Sequence, residues 1–66
     1  MTKYTIEFEG TVTEEVARAV LAGYCTILLI RSGWSGLIAK VEAVDWARLE
    51  RHLEVTPAVV HFMEGE

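Results

Sequence analysis

Apolar and polar positions change period twice along this chain, and each change marks an element. Tyr4, Ile6 and Phe8 alternate with Thr5, Glu7 and Glu9, the period of two of a strand with one buried and one wet face. Gly10 ends that pattern. Val16, Ala17, Val20 and Leu21 then form one stripe with Glu14, Glu15 and Arg18 on the other side, which predicts an amphipathic helix. Two starts fit it: Thr11 with Glu14 as a capping box, or Thr13 with Glu14 and Glu15 at the positive end of the dipole, the preferred choice. Gly23 is placed to end the helix as its C′ residue.

From Tyr24 to Val44 the chain reads YCTILLIRSGWSGLIAKVEAV, two apolar runs joined by a Gly/Ser cluster. Ile27 to Ile30 is too short for a helix and rich in bulky and branched side chains, so the stretch predicts a β-hairpin, with Gly33 and Gly36 able to take the positive φ that tight reversals use. A second helix opens with Asp45 as N-cap and a Val44 to Leu49 staple. Trp46, Leu49 and Leu53 share its core face, while Arg48, Glu50, Arg51, His52 and Glu54 face solvent. Thr56-Pro57 stops it, because a residue before proline is pushed out of the helical region. Ala58 to Met63 is a short strand rich in β-formers.

The order β-α-β-β-α-β is the split βαβ pattern and resembles the ferredoxin-like fold across residues 1–66, one α+β domain. The resemblance implies a four-stranded antiparallel sheet ordered 4-1-3-2, with both helices on one face. The period-two pattern then predicts what the other face displays. Strand one contributes Thr5, Glu7 and Glu9, strand three Ile38, Lys40 and Glu42, strand two Cys25, Ile27 and Leu29, and strand four His61. The expected open face is an acidic centre, with Lys40 and His61 nearby, beside an apolar edge of Ile27, Leu29 and Ile38, a patch suited to homodimerisation.

Charge and composition narrow the functions. The net charge of −4 arises from ten acids against six Lys and Arg, a field that repels phosphate backbones and attracts basic partners. A lone cysteine, Cys25, and no apolar leader point to a reducing cytoplasmic location, that of a host cell if the chain is phage-encoded. No run is long enough to span a membrane. Asn and Gln are absent, which argues against an acylphosphatase-like site. RNA-recognition motifs need aromatics where this face is expected to carry carboxylates, and heavy-metal domains need two cysteines.

No residue set promises chemistry. Ser35 sits in a hairpin tip without an acid-base pair, Cys25 has no basic cluster to activate it, and His61 with Glu7 and Glu9 makes a poor metal set. No enzyme, cofactor or metal is expected. Trp34, between Gly33 and Ser35 with Arg31 near, has the character of an interface anchor. Size, acidity and layout together resemble phage-encoded anti-CRISPR inhibitors of type I effectors. That resemblance implies a non-enzymatic protein occupying a basic nucleic-acid-binding site by DNA mimicry. The partner-binding candidates are Glu7, Glu9, Glu14, Glu15, Arg31, Trp34, Glu42, Asp45, Glu50 and Glu54. Two other readings stand beside it: an ACT-like regulatory domain with a small ligand near Gly10 and Thr11, and a bare homodimerising module.

Overall fold

A computed structural model describes residues 2–33 and 36–65. The elements follow in the order β1 (Thr2–Phe8), α1 (Glu14–Leu21), β2 (Thr26–Ser32), β3 (Leu37–Ala43), α2 (Trp46–Glu54) and β4 (Val59–Glu64). All strand pairs are antiparallel, and the order across the sheet is β2-β3-β1-β4. Central positions thus fall to β1 and β3; counted from β4, the neighbours run 4-1-3-2.

Residue size explains how so thin a core closes. Tyr4, Ile6 and Phe8 of β1 stand beside the smaller Val41, Ala39 and Ala43 of β3, with Tyr4 opposite Val41 and Ile6 opposite Ala39. Large against small fills one layer without voids. Ala17 and Leu21 of α1 and Leu49 and Leu53 of α2 close over them, and all ten core side chains are at most 2 % exposed. Both helices therefore cover the same sheet face. No buried polar or charged residue lies among the described residues.

Local capping follows the sequence. The Thr13 hydroxyl accepts from the Val16 N–H at 3.3 Å, and Asp45 accepts from the Arg48 N–H at 3.1 Å. Each satisfies a donor that the first helical turn leaves orphaned. Thr11 takes another role and donates to Glu9 from both its N–H and its hydroxyl. Gly23 follows the α1 C-cap with φ +82°.

Five expectations need correction. β2 carries an irregularity between Ile27 and Leu29, so Ile27 pairs with Val41 and packs toward the core, while Leu29 pairs with Lys40 on the open face. The extra residue reverses the parity of everything before it. Cys25, also expected outward, packs partly buried against the core. Trp46, expected in the core, is 51 % exposed, and Val44 is 81 % exposed and makes no staple. Of the hairpin glycines, Gly36 has positive φ, at +141°, and Gly33 does not.

Candidate functional site

With the helices on one face, strand register defines the other. Outward on β3 are Ile38, Lys40 and Glu42; opposite them on β1 stand Glu7, Thr5 and Lys3. On β2, Arg31, Leu29 and Thr26 flank the same three β3 positions, and on β4, His61 and Met63 flank Glu7 and Thr5. Leu28, at the irregularity, is 51 % exposed, Leu29 46 % and Met63 53 %. A depression of about 330 Å³ lies here, lined in part by Thr5, Arg31, Ile38, Lys40 and Met63.

The face is therefore not an acidic centre. Lys3, Arg31 and Lys40 are interleaved with Glu7 and Glu42, and the predicted apolar edge becomes Leu28, Leu29 and Ile38, with Ile27 turned away and Met63 standing at the opposite edge on β4. The difference has a simple origin: Lys3 lies before the first clear alternation of β1, and the parity of β2 cannot be read through an unbroken apolar run.

The remaining acids lie elsewhere. Glu9 stands in the loop after β1, held by Thr11. Glu14 pairs with Arg18 at 3.0 Å, one helical turn away, a contact between exposed groups that adds little. Glu15 is exposed in the first turn of α1, Asp45 caps α2, and Glu54 is exposed at its end. Glu50 accepts a 2.7 Å hydrogen bond from the Tyr4 hydroxyl. Five of the predicted contact acids thus belong to the helix layer, across the sheet from Glu7 and Glu42. Arg31 is on the open face, and Trp34, like Ser35, lies outside the described residues.

One cluster was missed. The His52 ring stacks on Tyr24 with centroids 3.8 Å apart and planes at 3°, and the Arg48 guanidinium lies 4.3 Å from the Tyr24 ring centre. His52 Nε2 donates to the Val20 carbonyl at 2.8 Å, and Arg48 donates to the Gly23 carbonyl at 3.0 Å. The Val20 carbonyl belongs to the last turn of α1, which the helix itself leaves unpaired, and the Gly23 carbonyl lies just past the α1 C-cap. The cluster therefore clamps α1 to α2. With Asp45 and Arg51 it lines a shallow depression of about 510 Å³. Arg48 and His52 at i, i+4 were a visible signal; Tyr24 completing the stack from another element was not.

Among the described residues, burial shifts two groups. Burial, then the hydrogen bond to Glu50 and the charges of Glu50 and Glu64, push the Tyr4 hydroxyl well above the ordinary range. Burial pushes the Cys25 thiol up to about 11, which keeps it protonated at neutral pH and opposes a nucleophilic role. Among the described residues no helix is long and apolar enough to cross a membrane. Comparison with protein families, characterised proteins and solved structures finds no significant match.

Proposed function

We propose that this chain is a non-enzymatic interaction module of ferredoxin-like type that works as a homodimer, two copies packing through their bare sheet faces. The observation that carries this reading is the open face itself, where four large apolar side chains, Leu28, Leu29, Ile38 and Met63, stand among charges of both signs. A face of one sign would repel a second copy; a mixed one attracts it. Element order and the central places of β1 and β3 support the ferredoxin-like assignment.

Size favours the same conclusion. A domain of 66 residues builds a single thin core, and association is one of the usual ways such domains gain stability. Four strands of six or seven residues, about 20–24 Å long and about 4.8 Å apart, present a face of about 400–450 Å² per copy, or roughly 800–900 Å² in a pair, the small end of interface sizes. The helix layers then face outward. An acidic inhibitor of the anti-CRISPR kind would meet a basic partner there, with Glu14, Glu15, Asp45 and Glu54, since pairing covers Glu7 and Glu42.

Sedimentation equilibrium tests the reading. The native protein is expected to sediment as a dimer and Leu29→Lys as a folded monomer. A native monomer at high concentration would sink the proposal, and so would a Leu29→Lys protein that still dimerises.

A further inference from the structure

The outward side chains form a grid whose rows run across the strands. From β2 toward β4 the first row is Thr26, Glu42 and Lys3; the second is Leu29, Lys40, Thr5 and Met63; the third is Arg31, Ile38, Glu7 and His61. We infer that the two-fold axis of the dimer runs parallel to the strands, between β1 and β3, so that each β3 lies over the partner's β1. This rests on the reading of the open face as the contact between copies, and it follows from turning the grid onto itself as an isologous contact requires.

Two turns keep the strands of facing sheets aligned to within the roughly 30° that sheet twist imposes. Turning about the strand direction exchanges the two ends of every row. Leu29 then meets the partner's Met63, and Met63 the partner's Leu29. Glu42 meets the partner's Lys3; because Lys3 and Glu42 are already cross-strand neighbours, four charges alternate in a square about the axis. Lys40 meets the partner's Thr5, which is neutral. Glu7 comes over the partner's Ile38, one strand from the partner's Arg31.

Turning about the direction across the strands instead lays the second row on itself. Lys40 then faces the partner's Lys40, and Leu29 faces the partner's Leu29. Like charges directly opposed in a contact being desolvated are costly. The charges of the second row therefore select the axis along the strands.

Two variants separate the alternatives. Lys3→Glu makes the square all acidic and Glu42→Lys makes it all basic, so each alone is expected to dimerise at least about tenfold more weakly than the native chain at low salt. Mixed together they set opposite charges across the interface at both contacts, while each copy's own cross-strand pair stays like-charged, and a heterodimer tighter than either homodimer is expected. Under the other axis position 42 faces the partner's Ile38, so Glu42→Lys alone would keep near-native affinity, and the mixed pair would still hold the carboxylate introduced by Lys3→Glu against the partner's Glu7. Cross-linking gives an independent readout in a Cys25→Ser background. A short bis-maleimide should join Leu29→Cys to Met63→Cys chains and leave Leu29→Cys alone unlinked. A dimer in which Leu29→Cys links to itself and Glu42→Lys alone pairs as tightly as the native chain overturns the axis while sparing the dimer. A native monomer removes both.

Discussion

Tyr4 joins the core to the surface. Its ring is buried against the sheet, with the Phe62 ring 6.4 Å away, and its hydroxyl emerges to meet Glu50. Tyr4→Phe keeps the ring and deletes the donor. Because Glu50 is only half-buried, its carboxylate recovers water, and denaturant melts should show a loss of about 1 kcal/mol, below the usual range for a charged acceptor. The raised Tyr4 and Cys25 groups also set an alkaline limit. Both are protonated and neutral in the folded chain at pH values where the unfolded chain has begun to ionise. Their stabilisation is thus complete below the ordinary thiol value near 9.0; that of Cys25 is lost as pH rises toward about 11, and that of Tyr4 begins to be lost near its ordinary value of 10.0 and continues to higher pH. Thermal melts should stay flat from about pH 7 to 8.5 and fall above about pH 9, with a shallower fall in Tyr4→Phe. A Tyr4→Phe profile matching the native one would remove Tyr4 from the account.

Gly36 has no room for a side chain. A Cβ there would lie 2.6 Å from the Phe8 carbonyl oxygen and 3.1 Å from the Gly10 Cα, at a φ of +141°. The end of the hairpin is thereby pressed onto the loop after β1. Gly36→Ala must move backbone, and a loss of roughly 2–4 kcal/mol is expected in equilibrium unfolding. The glycine pair announced the turn in the sequence. Which glycine the packing required was not announced, because it depends on Phe8 and Gly10 arriving from a distant part of the chain.

At the scale of elements, what could be read was whatever the local sequence determines by itself. Thr13, Gly23 and Asp45 each act on backbone groups within three residues, and their roles follow from spacing alone. The irregularity in β2 lies in the run Ile27-Leu28-Leu29-Ile30, where no polar residue marks which side is out. With no alternation to read, register is decided by pairing with β3. The clamp on α1 failed for a related reason: His52 reaches a carbonyl 32 positions away. Asp45→Ala should cost about 1 kcal/mol as a lost cap. His52→Ala should cost at least as much, since it strips the stack on Tyr24 and leaves the Val20 carbonyl to water. Amide exchange then distinguishes them, with faster exchange at the end of α1 in His52→Ala only.

For the whole molecule, the distribution of charge says more than its total. The net −4 suggested one acidic surface, whereas folding divides the carboxylates between a helix layer and a sheet face that also carries Lys3, Arg31 and Lys40. Total charge is legible in a sequence; its partition is not, because each strand sends alternate residues to opposite sides. The partition has a consequence for stability. If pairing through the sheet face contributes to folding, mass action makes the melting temperature depend on protein concentration. Each tenfold rise above the dissociation constant adds about 0.7 kcal/mol per chain, and for a domain this small that is a rise of about 3–5 °C. Leu29→Lys should melt at one temperature regardless of concentration. Added salt should lower the native melting point by screening the alternating charges of Lys3 and Glu42 across the axis, and leave Leu29→Lys nearly unchanged. Equal concentration dependence in both proteins would mean that the sheet face does not hold the pair together.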